Sequence, residues 1–362
     1  MKAKRILTYR PDYAIPPGET LREVMESLGM TQQELAIRTG LTAQSLNRIF
    51  NGSQPISYET ANALEMATGT PARFWNNLEA RYRERLTAFE KSASLAEDLE
   101  WLKTIPTLDL IRRGAIQKST DSSELLRNTL SFYGVSSVSA WHDLWDRPKA
   151  LAARRSACFE TRPGPASAWI RLGELQAKTV ESQPYSKEQL VKAIPELRRL
   201  TREKDAQTMA DAMRKVCAQC GVALALVQEM KKVPWNGATR WLTPDKSMVL
   251  LNLRGKGEDR FWFSFFHEIG HVLHDSKKDL LINDGSKDDP REVRADDFAA
   301  EVLIPAKFNE QIAAMGTETE LAALAKKLNI APGIVAGRYQ FLSGNWGRFK
   351  NVIRTFAWAD GK

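Results

Sequence analysis

Three of the four histidines in this chain fall within eight residues, in the run Phe266-His267-Glu268-Ile269-Gly270-His271-Val272-Leu273-His274. The spacing His-Glu-x-x-His sets two imidazoles one helical turn apart on one face, with a carboxylate beside them. Such a cluster suits a divalent cation, zinc above all. Two histidines do not fill a catalytic zinc site, which takes three protein ligands and keeps a fourth position for water. A third donor stands twenty-one residues after His271 at Glu292, in Glu292-Val293-Arg294-Ala295-Asp296. Glu292 and Asp296 are four apart and share one face of a second helix. The first can bind metal while the second accepts the free N–H of a ligating imidazole and fixes its tautomer. Glu268 then serves as general base, taking a proton from water as that water attacks a carbonyl polarised by the metal. His274 reads as a helix-end or outer-sphere residue and not as a ligand. The competing reading is a buried helix whose histidines are satisfied by ordinary hydrogen bonds.

The elements that must position these groups are legible on either side. Asp259 opens a helix that is aromatic almost all round, with Phe261, Trp262, Phe263, Phe265 and Phe266, so it belongs at the centre of a core. Strands are expected at 222–227, 238–242 and 247–253, and helices at 290–303, 318–328 and 332–342. The last two read as packing behind the site, with Arg338 or Tyr339 able to approach it as an electrophile. Asp284, Asp288 and Asp289 read as a solvated loop. Cys217 and Cys220 have no partner pair and read as structural thiols, and Cys158 as a further free thiol.

The N-terminal part has a different texture. Short amphipathic helices at about 18–27, from Thr31 to Gly40, after Thr42 to Asn51-Gly52, and from Ser57 to 68 are separated by strong punctuation. Thr31-Gln32-Gln33-Glu34 has the form of a reciprocal capping box. A longer fifth helix carries Phe74, Trp75, Leu78 and Tyr82. Laid in a major groove, the third helix would point Gln44, Ser45, Asn47 and Arg48 outward, and Gln32 would donate to a phosphate. Against DNA binding stands the charge of this part. Residues 1–90 carry 11 Lys+Arg against 10 Asp+Glu, whereas 91–220 carry 21 against 16. That middle stretch stays helical, with breaks near Ile105-Pro106, Arg147-Pro148 and Arg162-Pro163, and reads as a connector. A composition of 43% hydrophobic and 27% charged residues describes an ordinary globular chain, with no apolar run that spans a bilayer. The basic N-terminus lacks the apolar stretch of a secretory signal, so a cytoplasmic protein is expected.

Two resemblances gather these readings. His267-Glu268-x-x-His271 followed by Glu292-x-x-Ala295-Asp296-Asp297-Phe298-Ala299-Ala300-Glu301-Val302-Leu303-Ile304-Pro305 resembles the ImmA/IrrE family of metallopeptidases. The resemblance implies a zincin-like fold, His267, His271 and Glu292 as zinc ligands in a gluzincin-like set, Glu268 as base, and a helix-turn-helix repressor as substrate. It also implies an edge strand ahead of the active helix, for which 247–253 is the candidate. Two positions depart from the family pattern: Asp296 stands for the common Asn, and Arg294 for a common acidic residue. Residues 14–85 resemble the HigA-type antitoxin branch of the Xre helix-turn-helix family, whose members bind operators as dimers. The expected architecture is α+β and helix-rich: an all-α helix-turn-helix domain at 14–90, a connector at 91–215, a zincin-like domain at 216–310 with a small sheet and an active-site helix, and a helical subdomain at 311–362. The expected function is an antitoxin-like repressor fused to a one-zinc endopeptidase. It would cleave a protein partner or itself to relieve repression, in a toxin–antitoxin, prophage or phage-defence setting. Operator DNA, a protein substrate or toxin and a second copy of the chain are the partners, with no membrane. The alternative is a non-catalytic repressor whose zinc fold senses a ligand or grips a toxin.

Overall fold

The computed structural model describes residues 14–146, 162–277, 280–282 and 289–359, without the side chains of 88–94, 146 and 282. Arg147-Pro148, Cys158, Asp284 and Asp288 lie outside the described residues. The chain divides into two compact units, Met1–Leu99 and Glu100–Lys362.

In the first unit, helices α1 (Pro17–Ser27), α2 (Gln32–Thr39), α3 (Ala43–Phe50) and α4 (Tyr58–Thr68) precede a long α5 (Ala72–Thr104). Hydroxyls start three of them: Thr31, Thr42 and Ser57 each accept a backbone N–H from three residues on. Glycines Gly40 and Gly69, in the left-handed region, stop α2 and α4. The box at Thr31 is one-sided. Glu34 turns its carboxylate to Arg38, one turn along, instead of back to the cap. Leu21, Leu35, Leu46, Leu64 and Trp75 form the core. At Gly18 a Cβ would stand 2.2 Å from Phe50 Cα, so α1 and α3 touch backbone to backbone.

The second unit begins with α6 (Thr107–Arg112), α7 (Ser122–Tyr133) and α8 (Val138–Trp141), followed by α9 (Pro163–Thr179), α10 (Lys187–Arg199) and α11 (Ala206–Gln219). Strands β1 (Val222–Leu226), β2 (Gly237–Thr243), β3 (Lys246–Leu251) and β4 (Leu280–Ile282) form a mixed sheet in the order β1-β3-β2-β4. Pairing Thr239 with Val249 and Arg240 with Met248 assigns the faces by alternation. Arg240, Met248 and Leu250 face α9, where Gly173 lies so close that a Cβ would meet Leu250 at 2.7 Å and where Glu174 takes the Arg240 guanidinium. Thr239 and Val249 face α12 (Glu258–His274), which is buried along nearly its whole length. α13 (Pro290–Leu303) lies against α12, and α14 (Asn309–Ala313), α15 (Glu318–Leu328) and α16 (Pro332–Ser343) close the core behind it.

One expectation fails here. The strand proposed to align a substrate, 247–253, is β3, and it lies between β1 and β2 in the middle of the sheet. Its residues Ser247 to Leu251 are buried on both faces, which is the pattern of a central strand and not of an edge. The edges among the described residues are β1 and β4, and β4 was not foreseen because only three residues form it.

Because Phe265 is wholly buried against Trp262 and Phe266, Phe265→Ala is expected to cost about 3–5 kcal/mol in urea unfolding. A loss below roughly 1 kcal/mol would contradict the central placement of α12.

Candidate metal centre and nucleic-acid interface

The aromatic flanks of α12 hold it rigidly in the core, and its last two turns bring His267 and His271 to the seam with α13. Glu292 enters from the first turn of α13, where Asp289 caps the helix. His267 Nε2 lies 3.0 Å from His271 Nε2 and 3.1 Å from Glu292 Oε2, and His271 Nε2 lies 3.3 Å from Glu292 Oε1. Four ligand atoms about 2.0–2.1 Å from a tetrahedral zinc stand roughly 3.3 Å from one another. Two nitrogens and one oxygen at these separations therefore fit a zinc ion.

The outer nitrogens explain the convergence. His267 Nδ1–H donates to Asp296 Oδ1 at 2.8 Å, and His271 Nδ1–H donates to Asp275 Oδ2 at 2.7 Å. Each carboxylate keeps a proton on Nδ1 and aims Nε2 at the shared point, where it offers a lone pair to a metal once that nitrogen is deprotonated. Burial opposes charge on both rings. Asp296 and Glu292 nevertheless push His267 up to about 10, and Asp275 and Glu292 push His271 up to about 9. Burial would raise Glu292, but hydrogen bonds from the two imidazoles outweigh it and bring this carboxyl down to about 2.

Glu268 is fully buried beside this cluster. Its Oε2 accepts the Thr239 hydroxyl at 2.6 Å, while Oε1 meets no hydrogen-bond partner among the described residues. A Cβ on Gly237 would sit 2.4 Å from Oε1, so only glycine leaves room for the carboxylate in this position. Burial raises the Glu268 carboxyl, opposed by the two imidazoles and by Thr239.

In the first unit, Gln44, Asn47 and Arg48 are exposed on α3 and Ser45 is half-buried, its backbone N–H donating to Thr42. Gln32 is differently engaged from the phosphate donor expected. Its amide nitrogen donates to Asn47 Oδ1 at 2.9 Å and to the Ala43 carbonyl at 3.3 Å, which uses both of its N–H bonds.

Comparison with known families follows the same division. Residues 21–75 match the helix-turn-helix family model, and residues 223–339 match the model of the IrrE N-terminal-like domain, a peptidase M78 family. The chain joins a helix-turn-helix domain to an IrrE-like domain. No curated protein matches the chain. The IrrE-like match runs from β1 into α16, while α9, which covers one face of the sheet, lies outside it.

Several residues around the IrrE-like site escaped sequence reading. Asp275 stands behind His271, in the outer-sphere role that was one of two expected for His274; His274 takes the other, at the helix end. His274 lies seven residues beyond His267, about 10 Å along the helix. There it is exposed, gives its ring N–H to the Gly270 carbonyl at 2.9 Å and meets Phe298 edge-on. Asp275, four residues after His271, shares that histidine's face, and this spacing was the available signal. Arg294, basic where the resemblance implied an acidic residue, pairs with Asp275. Thr239 and Gly237 act across 29 and 31 residues of sequence, and no local pattern announces them. The electrophile suggested at Arg338 is elsewhere: its guanidinium donates to the Ala300 and Ile304 carbonyls at the far end of α13. Tyr339 is buried in the core and stacks edge-on to Phe349.

Two outcomes follow. Asp275→Asn should weaken zinc binding roughly 10–100-fold in competition with a chromophoric chelator. The loss should exceed that of Asp296→Asn, because the Asp275 side chain is 4% exposed and that of Asp296 is 56% exposed. Wild-type affinity in both variants would contradict the positioning account. Since the surrounding carboxylates raise the proton affinity of both imidazoles, zinc must compete with protons there, and its affinity should fall as pH falls. Proton release on zinc binding should be measurable in calorimetry across buffers of different ionisation enthalpy; a pH-independent affinity would contradict it.

Proposed function

We propose that this protein is a DNA-binding transcriptional regulator whose second unit is a zinc-dependent endopeptidase. The observation carrying the proposal is the convergence of His267, His271 and Glu292 on one point beside the buried base Glu268, in a chain that also has a helix-turn-helix domain. His267, His271 and Glu292 would hold the ion, with Asp296 and Asp275 orienting the rings. A bound zinc would supply Lewis acidity toward a peptide carbonyl and acidify water. Glu268 would accept the water proton at Oε1, because the Thr239 hydroxyl already occupies Oε2, and would pass it to the leaving amine. Its burial raises its proton affinity, which suits a group that must hold a proton between the two transfers.

Cleavage of a partner regulator or of the chain itself would then relieve repression exerted by a dimer on its operator, in a cytoplasmic toxin–antitoxin, prophage or phage-defence setting. A second reading has one specific observation in its favour. His267 and His271 are each 1% exposed and Glu268 is 0% exposed, as in a site that binds metal without turning over substrate. In that case the unit would sense a ligand or grip a toxin.

Incubation of the zinc-loaded protein and of Glu268→Ala, each alone and with co-expressed neighbouring proteins, separates the two readings. Peptidase action predicts fragments with the wild type and none with Glu268→Ala at equal zinc content and equal DNA binding. Identical gels together with an unchanged regulatory output would favour the non-catalytic reading.

A further inference from the structure

The second unit has a cleft away from the metal centre, where α10, the last turn of α13 and the end of α15 meet. Its volume of about 510 Å³ falls within the range of small-molecule sites, roughly 300–1,000 Å³. Val302 in its wall stands ten residues beyond Glu292 on α13, about 15 Å along that helix. The lining has two chemistries. Ile194, Pro195 and Val302 supply apolar surface, and Lys192, Arg198 and Arg199 supply three cations against the one carboxylate of Glu196. Arg198 is engaged in structure: it donates to the Leu303 carbonyl at 3.0 Å and to the Leu328 carbonyl at 2.6 Å, tying the ends of α13 and α15 together. Lys192 and Arg199 are exposed, and neither forms a salt bridge among the described residues. Glu188, one turn before Lys192, feels its charge without pairing to it. The opposite wall adds to the positive field. Asn329 there takes the Arg202 guanidinium, the last turn of α15 carries Lys326 and Lys327, and no further acid follows until Asp360.

We propose that this cleft binds a nucleoside polyphosphate, its phosphates at Lys192 and Arg199 and its nucleoside against Ile194, Pro195 and Val302. An unpaired guanidinium grips phosphate oxygens in a two-pronged contact, and an ammonium beside it adds a point charge. A bare anion would leave the apolar wall wet, and an apolar ligand would leave the cations unanswered. A nucleoside polyphosphate has both halves. Glu196 repels the phosphates from its own position and offers an acceptor to a ribose hydroxyl or a base amine. The cleft is built on the helix that carries Glu292 and Asp296, so a ligand there is one that the zinc-binding unit would sense. The proposal does not depend on whether the metal centre cleaves peptides.

The test is calorimetric titration of the full-length protein with the common ribonucleoside triphosphates, the matching nucleosides and inorganic tripolyphosphate, with melting temperatures checked for every variant. At least one triphosphate should bind, more weakly as salt rises. Its nucleoside and tripolyphosphate should each bind at least about tenfold more weakly. Lys192→Glu with Arg199→Glu should weaken the triphosphate about tenfold or more, the size of a lost charge-assisted hydrogen bond. Lys118→Glu with Lys178→Glu makes the same change of charge on exposed residues outside the cleft and should leave binding unchanged. So should His267→Ala with His271→Ala, which removes the metal centre as a phosphate site. No triphosphate bound at about 1 mM overturns the proposal. Tripolyphosphate binding as tightly as the triphosphate, or equal losses in the two charge-changed pairs, overturns it as well, since either marks a general anion surface. A loss confined to the histidine variant places the ligand at the metal centre and overturns it. Tighter binding of a short single-stranded oligonucleotide, lost in the Lys192→Glu/Arg199→Glu protein, marks a nucleic-acid surface in its place.

Discussion

Two imidazole nitrogens and a carboxylate are held 3.0–3.3 Å apart at the seam of two buried helices, and the second unit is organised around keeping them there. Polar atoms crowded in a dry interior are costly unless each is oriented and satisfied. The aromatic flanks of α12 supply rigidity, α13 supplies the third donor, and Asp296 and Asp275 supply the orientation of the rings. Arg294 then answers the buried charge of Asp275, so the tie runs from the α12 terminus back to the helix that carries Glu292. The sheet contributes Thr239 and Gly237, one holding Glu268 and the other making room for it.

The same device recurs in the first unit with different chemistry. A group able to present either of two faces is fixed by a second residue that is itself fixed by something unambiguous. At the metal centre the carboxylates of Asp275 and Asp296 select the imidazole tautomer. On α3 the Ala43 carbonyl selects the orientation of Gln32, which selects that of Asn47. At the metal centre Asp296 is legible from its spacing to Glu292, whereas Asp275, which orients the other ring, is not.

That asymmetry describes how much could be read without the structure. His267, Glu268, His271, Glu292 and Asp296 declare themselves because helical spacing is local, and all five lie at one site. The helix starts at Thr31, Thr42 and Ser57 and the stops at Gly40 and Gly69 are local as well, and they stand where expected. Sheet order is not local. The run at 247–253 is expected at an edge on the family resemblance, whereas the burial of 247–251 on both faces belongs to a central strand. Asp275 lies just past the end of the helix, and only its four-residue spacing from His271 marks it. Thr239 reaches Glu268 only because β2 lies beneath α12.

The account stands on His267, His271 and Glu292 forming one zinc site. X-ray absorption at the zinc edge of the full-length protein, purified after zinc supplementation, tests this most directly. The account predicts one zinc per chain in a light-atom shell at about 2.0–2.1 Å, with the outer-shell scattering of two imidazoles and no sulfur. Imidazole scattering should be lost together with zinc when His267 and His271 are both replaced by alanine. A sulfur shell near about 2.3 Å, or a zinc signal unchanged in that double variant, would contradict it.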